Sequence, residues 1–249
     1  MRWLRDAGKL TLPDALGERH LTACQNIIQD PRYAETGFRI RQNYIGTGRI
    51  GPRETVDYIC PPPALLPSLM QGLSDSALRL NEGHAILQAA LVAFGFVLIH
   101  PFEDGNGRLH RYLLHQMLRL RGVTPADQVI PISAVWLRAL NRYYDVFSAY
   151  SRWTTQVGQY EVHNNWDLQL HNADALTAWY RYPDLTQQAT YTAHTLRQCV
   201  TEDLAQELSY LQLYDIAKQK MRAVVDMPDK PMRLLMRRSM RLICRVMRC

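Results

Sequence analysis

Residues 100–111 read HPFEDGNGRLHR and follow an apolar run from Ala89 to Ile99. His100 supplies an imidazole that can take up a proton near neutral pH, and Asp104 supplies a carboxylate that can bind a hard divalent cation. Asn106 lies between two glycines, which adopt conformations that other residues avoid, so the turn can direct successive backbone N–H groups at an anion. The stretch therefore predicts a loop that combines a general base, a cation ligand and an anion site.

A helix is predicted to begin at this turn and to run from Asn106 to Arg121. Its apolar stripe consists of Leu109, Leu113, Met117 and Leu120. Gly122 suits the end of such a helix. The positive end of the helix adds to the anion site, and Arg108 and Arg111 fall on one face in its first turns. The sequence therefore places two guanidinium groups beside the predicted anion site.

The chain has the length and composition of a folded globular protein. Its 249 residues suit one large domain or a domain with an appendage. The longest wholly apolar stretch, Ala89 to Ile99, is too short to span a bilayer, and no apolar block of a secretory signal follows Met1. The five cysteines are scattered and form no CxxC pair. These features argue against a disulfide framework, a zinc site or a membrane protein, and they predict a cytoplasmic location.

The net charge of +6 is concentrated in the C-terminal tail. Six arginines and no acidic residue lie at 233–249, whereas the first 232 residues carry equal numbers of basic and acidic side chains. Two interpretations of the tail remain open: a solvated terminal helix, or part of an appendage that contacts nucleic acid.

Hydropathy periodicity predicts a mainly α-helical protein with one small β-hairpin. Alternating residues predict strands at 38–45 and 55–59, within a hairpin of about residues 38–60 that ends at three prolines. The predicted helices are residues 63–73, a helix from Asp75 or Ser76 to about Ile99, 106–121, 133–151, and several amphipathic helices beyond Asp167. We expect a core at residues 1–155 and a C-terminal helical extension at 156–249.

The run at 100–111 resembles the HPFx[D/E]GNGRxxR signature of Fic-domain (Fic/DOC) proteins, which it matches at every specified position. Flanking segments are similar to that family in the same order along the chain, namely residues 37–46, 61–63, 141–144 and 180–184. The resemblance extends from about residue 15 to about residue 230. It implies the Fic-type fold, a helical bundle with a small β-hairpin flap that is followed by additional C-terminal helices.

The resemblance implies a protein adenylyltransferase of the AMP-transferring type. Such an enzyme moves AMP from ATP to a Ser, Thr or Tyr hydroxyl of a target protein and releases pyrophosphate. By position in the motif, His100 is expected to be the general base for that hydroxyl, and Asp104 to bind Mg²⁺ at the α- and β-phosphates. Phe102 is expected to point inward and hold the loop. ATP and Mg²⁺ are therefore the expected substrate and cofactor.

The same resemblance implies how the nucleotide is held. Gly105, Asn106 and Gly107 are expected to form the anion nest around the α- and β-phosphates. Arg108 and Arg111 are expected to pair with the β/γ end of the triphosphate. The nucleotide-binding residues would thus come almost entirely from one turn and the helix behind it.

Two further groups of residues follow from the resemblance. Tyr44, Ile45 and Ile59 are expected to belong to a target-binding flap, because an extended segment of a target protein can add to the edge of the hairpin through main-chain hydrogen bonds. Asn141 and Tyr144 lie where the family contacts adenosine. Ordinary helix packing remains the alternative for these last two residues.

Many proteins of this family carry an inhibitory helix with the pattern [S/T]xxxE[G/N], and this sequence lacks that pattern. Three explanations remain open: an inhibitory partner chain, an N-terminal inhibitory segment absent from this chain, or an enzyme without restraint. We favour the absent segment, because residues 1–13 are short for an N-terminal lobe. The C-terminal extension is interpreted as containing a truncated appendage.

Two other functions stay open at this point. One keeps the fold and transfers another phosphate-containing group, although the intact Gly107 and Arg108 favour AMP. The other is a toxin or regulatory binding module whose basic tail at 233–249 contacts nucleic acid. A shift of DNA mobility that depends on salt and on the tail is the observation that favours the binding module.

Overall fold

The fold is mainly helical, with two small antiparallel sheets, in the parts of the chain that a computed structural model describes: residues 11–28, 31–47, 55–125, 130–163 and 167–224. Contacts group the chain into two compact units, with the division between Leu196 and Arg197. The first unit contains the motif loop and both sheets. The boundary expected between residues 155 and 156 stays a prediction.

The elements follow the chain in this order. They are α1 (Leu12–Leu16), α2 (Glu18–Ile28), β1 (Tyr44–Thr47), β2 (Thr55–Ile59), α3 (Leu66–Arg79), α4 (Ala85–Ile99), α5 (Asn106–Leu120), α6 (Ile132–Arg138), α7 (Leu140–Val157), β3 (Tyr160–Val162), β4 (Leu168–Leu170), α8 (Ala173–Arg181), α9 (Thr186–Gln198) and α10 (Leu204–Val224). Short 3₁₀ turns lie at Pro31–Tyr33 and Pro63–Leu65.

Helix α4 forms the centre of the core of the first unit. Every residue from Val92 to Ile99 is buried, as the unbroken apolar run requires, and the helix packs against α3 and α5. Helix α5 presents its apolar stripe to the core, where Leu109, Leu113 and Met117 are fully buried. Burying a side chain of this kind stabilises the fold by about 1.5–3 kcal/mol relative to exposure. The loop between α4 and α5 is therefore held by the core at both ends.

The first hairpin pairs Tyr44 with Ile59 and Ile45 with Tyr58, and its register shifts after Ile45. Residues 48–54, which connect its strands, lie outside the described residues. Ile59 is fully buried, and its N–H donates to Thr154 Oγ1 at 3.1 Å. The end of the hairpin that carries Tyr44 and Ile59 is thus anchored on α7.

A second hairpin, which periodicity did not predict, supports the first. Strand β3 pairs with β4 in antiparallel fashion. Leu168 of β4 is buried in one cluster with Val56 and Ile59 of β2. The strands are three residues long, which is too short for a pattern of alternation to separate them from a loop.

Two predicted helices are interrupted in the structure. For the helix predicted from Asp75 or Ser76 to Ile99, the predicted start is wrong, because Asp75 and Ser76 lie inside α3, which continues to Arg79. The break falls at residues 80–84, where the Leu80 carbonyl accepts the Gly83 N–H at 2.9 Å. The helix predicted at 133–151 likewise becomes α6 and α7, with a non-helical backbone at Ala139 (φ −121°, ψ 47°).

The strand predicted at 38–45 forms only from Tyr44 onward. Residues 38–43 run instead past the motif loop, where Arg39 N–H donates to the Pro101 carbonyl at 2.8 Å. The strand prediction is therefore wrong for residues 38–43, which bend at Phe38 and Arg41 and make their backbone contact with the motif loop.

The second unit begins with the end of α9 and continues through a π-helical turn at Cys199–Asp203 into α10. The arginine-rich tail at 233–249, with its predicted nucleic-acid contact, lies outside the described residues. No helix among the described residues is long and apolar enough to cross a membrane.

Candidate active site

His100 stands at the C-terminal end of α4 in the left-handed conformation (φ 52°, ψ 56°). A residue with a side chain adopts this conformation at a cost of about 1–3 kcal/mol, which the surrounding contacts must offset. The ring Nδ1 lies 3.1 Å from the Val97 carbonyl oxygen. Because a carbonyl only accepts, Nδ1 carries the proton and the Nε2 lone pair is left for chemistry.

The environment keeps the His100 ring neutral. Burial lowers the pKa of His100 to about 4, and the bond to the Val97 carbonyl, which raises it, is the smaller effect. Arg39 lowers the pKa further and Asp104 raises it. The imidazole is therefore unprotonated at neutral pH and can accept a proton.

Asn106 closes the loop on itself. Its Oδ1 accepts the Phe102 N–H at 3.1 Å, and its Nδ2 donates to the Phe102 carbonyl at 2.8 Å. Phe102 is fully buried, as expected, and its ring meets those of Phe38 and Phe96 at centroid distances of 5.5 and 6.5 Å. Since the Asn106 side chain is used within the loop, this residue can offer an anion only its backbone N–H.

Gly105 turns the chain into α5 at φ 86° and ψ −4°, a conformation that favours glycine. Its carbonyl accepts the N–H groups of Arg108 and Leu109, each at 3.0 Å. The N–H groups of Asn106 and Gly107 stand ahead of these, in the turn where a helix has no acceptor of its own to offer. Together with the helix dipole, such N–H groups favour negative charge at this end of α5.

The first turn of α5 has room beside Gly107. Outside the neighbouring residues and the backbone of its own helix, a Cβ placed on Gly107 would meet only Arg111 Nη1, at 3.9 Å. Arg108 and Arg111, both half-buried, lie on the same helix.

Asp104, like Glu103 before it, is an exposed acid of the loop. Its Oδ2 lies 3.1 Å from Arg108 Nη2, and its Oδ1 accepts the Gly105 N–H at 2.6 Å. Within the described ranges no group of three or more His, Cys, Asp or Glu side chains surrounds a point where a metal ion could sit. One carboxylate beside an anion site fits Mg²⁺, which keeps several waters and binds through one or two carboxylates and substrate phosphates.

Arg39 joins the flap to the loop, and sequence reasoning did not find it. Its guanidinium is buried and donates to the carbonyls of His100 at 2.8 Å, Arg41 at 2.7 Å and Pro61 at 2.6 Å. Nothing in the sequence separates Arg39 from Arg41, because the contact depends on chain segments that lie far apart.

Glu35 is a second residue that the sequence did not reveal. Its Oε1 accepts the Asp104 N–H at 3.0 Å, and its Oε2 accepts the Glu103 N–H at 3.2 Å. Burial raises the pKa of Glu35, and the bonds from the two amides oppose that shift. A carboxylate from outside the motif therefore grips its backbone.

The residues expected to form the flap lie on the paired strands. Tyr44 and Ile45 are half-buried on β1, and among the described residues this strand pairs only with β2. Ile59 is buried at the opposite position, where its carbonyl accepts the Tyr180 hydroxyl at 2.9 Å. The preceding Asn43 reaches the loop through Nδ2, which donates to the Glu103 carbonyl at 3.3 Å.

Asn141 and Tyr144 are exposed on α7. Tyr143 connects Tyr144 to the motif helix, since its ring centroid lies 6.2 Å from the His110 ring and 6.2 Å from the Tyr144 ring. His110 itself is buried, with Nδ1 2.7 Å from the Ala93 carbonyl oxygen. The structure thus brings Tyr144 within one aromatic ring of the motif helix, and leaves the role of both exposed residues as a prediction.

A cavity of about 570 Å³ lies beside α4 but away from the motif, between α3 and the segment that joins α8 to α9. Leu98 and Ile99 line it, whereas residues 100–111 do not. Its size alone does not make it the reaction site, because it contains neither the imidazole nor the anion site.

Comparison with known proteins agrees with the motif and the fold. Residues 14–118 match the model of the Fic/DOC family. Protein adenylyltransferase Fic from Drosophila mojavensis is 35% identical over 96 residues, which are 38% of this chain and 17% of that protein. The protein of the same name from Nematostella vectensis is 38% identical over 71 residues, 28% of this chain and 17% of that protein. The matched region is thus less than a fifth of each relative.

Among solved structures, a Fic family protein from Desulfovibrio desulfuricans G20 superposes with a TM-score of 0.50 at 22% identity. The match covers 83% of this chain and 52% of that one. At this identity the similarity concerns the fold. Taken with the family match and the intact motif, it leads to one conclusion: residues 14–118 carry a Fic/DOC domain.

Proposed function

We propose that this protein is an adenylyltransferase that moves AMP from ATP to a Ser, Thr or Tyr hydroxyl of a target protein and releases pyrophosphate. One observation carries the proposal. The Nδ1 of His100 is committed to the Val97 carbonyl, and a neutral Nε2 therefore stands in the same loop as the anion site at the start of α5.

His100 is the general base. Its Nε2 accepts the proton of the target hydroxyl as the oxygen attacks the α-phosphorus, and the bond between the α-phosphorus and the bridging oxygen of the β-phosphate breaks. A positioned base contributes about 10²–10⁴-fold to the rate of such a step. The lowered pKa keeps this base ready at neutral pH without a partner carboxylate.

The start of α5 holds the triphosphate. The N–H groups of Asn106 and Gly107, the helix dipole and the guanidinium groups of Arg108 and Arg111 all favour negative charge at one place. Phosphoryl transfer depends mainly on positioning and on neutralising charge, which fixed groups of this kind supply. Gly107 is compatible with the assignment, because the space beside it contains the Arg111 guanidinium, 3.9 Å from the position of a Cβ.

Asp104 is the residue that would hold Mg²⁺. When bound, this ion supplies charge neutralisation and orientation of the phosphates. In the present structure the carboxylate pairs with Arg108. Binding of the nucleotide therefore requires that the Asp104–Arg108 pair exchange partners, with the arginine turning to phosphate oxygens.

The flap made by β1 and β2 positions the target. Main-chain hydrogen bonds would align an extended segment of the target along β1. The acceptor hydroxyl would then reach His100 with little dependence on the neighbouring side chains of the target. Asn43 and Arg39 connect this flap to the loop that carries the base.

A labelling experiment tests the proposal. The protein is incubated with Mg²⁺, a cell lysate and ATP labelled at either the α- or the γ-phosphate. We expect protein-bound label only from the α position, and its loss in His100→Ala. Label from the γ position alone means that the transferred group is a phosphate, and no His100-dependent label from either position contradicts the proposal.

A reducing, cytoplasmic setting belongs to the same proposal. Cys24, Cys60 and Cys199 are buried and are not in disulfides. Burial raises the pKa of Cys24 to about 11 and that of Cys60 to about 12, so both thiols stay protonated and unreactive.

A further inference from the structure

The contact of Glu35 with the motif loop goes beyond what the proposed function requires. The carboxylate lies 68 residues away from Glu103 along the chain, yet it accepts two consecutive N–H groups of the loop, those of Glu103 and Asp104. Each carboxylate oxygen takes one of them. This bidentate arrangement fixes both the position and the orientation of the backbone immediately before Gly105.

Helix α2 holds Glu35 in place for this contact. Asn26 clamps the backbone of Glu35, since its Oδ1 accepts the Glu35 N–H at 2.8 Å and its Nδ2 donates to the Glu35 carbonyl at 2.9 Å. The neighbouring Gln25, which is fully buried, donates from Nε2 to Glu35 Oε1 at 3.2 Å. Both the main chain and the side chain of Glu35 are therefore held by adjacent residues of one helix.

The charged form of Glu35 is unfavourable at this position except for its hydrogen bonds with the loop amides. Burial is the main cause that raises the pKa of Glu35, and the nearby Glu103 and Asp104 raise it further. The two N–H bonds oppose these effects, and the Gln25 amide donates to the same carboxylate. A partly buried carboxylate beside two other acids is unfavourable by itself, so the contact has the character of a constraint on the loop and not of general packing.

The carbonyl of the peptide that joins Glu103 to Asp104 is hydrogen-bonded as well. The Glu103 carbonyl accepts the Asn43 Nδ2 at 3.3 Å, while the N–H groups on either side of it point to Glu35. With the C=O and the N–H of this peptide both bonded, the Cα of Asp104 has a defined place. The Asp104 side chain extends from that Cα, and its Oδ2 lies 3.1 Å from Arg108 Nη2 at the start of α5.

We propose that Glu35 is a positioning residue, which acts through the backbone of the motif loop to aim the Asp104 carboxylate at the metal–phosphate site. The inference rests on the proposed function, because it assigns to Asp104 the role of cation ligand. Glu35 touches neither nucleotide nor metal in this scheme. Its effect is felt only when the cation is present.

A matched pair of variants tests this role. Glu35→Gln keeps the size of the side chain but offers one acceptor and one donor to two N–H donors, so one bond is lost and two donors face each other. Glu18→Gln is the control. Glu18 also lies outside the motif and accepts one N–H, that of Phe38 at 2.8 Å, which an amide oxygen accepts equally well.

The measurement is the affinity for a non-hydrolysable ATP analogue with Mg²⁺ and with EDTA. In the wild type and in Glu18→Gln we expect Mg²⁺ to tighten binding. In Glu35→Gln we expect the gain from Mg²⁺ to fall by about 10-fold, as is common when a group that orients a metal ligand is removed, with the EDTA value within about twofold of wild type. Thermal unfolding of each variant checks that the fold is retained.

Each result decides between the possibilities. An unchanged gain from Mg²⁺ in Glu35→Gln overturns the inference and leaves the proposed function intact. Tighter binding with EDTA in Glu35→Gln also overturns it, since the carboxylate would then be a competitor for the anion site. Absence of ATP binding in the wild type overturns both. If Glu35→Gln unfolds, Asn26→Ala takes its place, because it loosens Glu35 without changing the carboxylate, and the same loss of the Mg²⁺ gain is required.

Discussion

The motif loop and the flap hairpin differ in what holds them. The loop is closed by contacts between residues that are neighbours in sequence, such as His100 with Val97 and Asn106 with Phe102, and is then held from outside by Glu35. The flap is held by residues from distant segments, among them Thr154 and Tyr180. The difference agrees with the proposed function, in which the loop carries the reacting groups and the flap sets where a target lies relative to them.

Removing the imidazole of His100 should give the largest effect on AMP transfer, and it should act through the motif loop and not through the flap. We expect His100→Ala to reduce AMP transfer by about 10²–10⁴-fold, because the hydroxyl loses its proton acceptor. Binding of ATP should change little, since the ring is not among the groups expected to hold phosphate. Initial rates and equilibrium binding measure the two effects, with the exposed His194→Ala on α9 as the control.

Replacing a glycine of positive φ by alanine should separate the effect of backbone strain on stability from an effect on ATP binding. Gly105 and Gly122 both have positive φ, 86° and 67°. Alanine at either position should lower the free energy of unfolding by about 1–2 kcal/mol. Only Gly105→Ala should also lose ATP affinity and transfer, because only Gly105 begins the anion site. Chemical denaturation and transfer rates test this, and equal loss of transfer in Gly122→Ala would assign the effect to stability.

Removing a hydrogen bond that anchors strand β2 of the flap should change target binding more than nucleotide binding. Tyr180→Phe removes the hydroxyl that donates to the Ile59 carbonyl, and Tyr150→Phe removes one that donates to the Trp179 carbonyl at 2.7 Å. Each should lower the free energy of unfolding by about 1 kcal/mol. The KM for the target protein should rise in Tyr180→Phe only. A similar rise in both variants would mean that the flap is not anchored through β2.

The smallest effect concerns the pH dependence of transfer. Because the pKa of His100 is lowered from its ordinary value of 6.5 to about 4, the ring stays in its base form as pH falls through 6.5. We expect kcat/KM for ATP to show no acid limb from His100 between pH 7 and 5. An inflection near pH 6.5 that disappears in His100→Ala would contradict the lowered pKa.

The same pH range should weaken the fold. His110, like His100, is held neutral by burial, which lowers its pKa to about 4. The unfolded chain binds protons at these histidines below pH 6.5 while the folded chain does not. The free energy of unfolding should therefore fall as pH falls from 6.5 toward 4. Rates at low pH must be taken before unfolding begins, and denaturation curves at each pH show the limit.

Much of the fold was predictable where a pattern spans one element. The helix from Asn106 was predicted almost to its last residue, because a stripe of apolar side chains and a terminal glycine agree there. The break at residues 80–84 was placed wrongly. The apolar residues continue across it, and the turn made by Leu80 and Gly83 leaves no strong signal in the pattern. The short β3–β4 hairpin was missed for lack of length.

The candidate site shows the same division. Five groups of the motif were predicted together because they occupy adjacent positions: the imidazole, the carboxylate, the turn and the two guanidiniums. Glu35 and Arg39 were not, although each touches the loop directly. An acid and an arginine on an extended segment carry no pattern of their own. Their significance appears only when the chain returns to the loop.

The amino-acid sequence alone determined the chemistry that this protein can offer: which residue can be a base, which can hold a cation, and which turn can receive an anion. Those properties depend on side-chain type and on spacing within a turn or two of helix. The tertiary structure decided how neutral the His100 ring is and which distant residues hold the loop. These depend on burial and on hydrogen bonds between segments more than sixty residues apart, which local spacing does not encode.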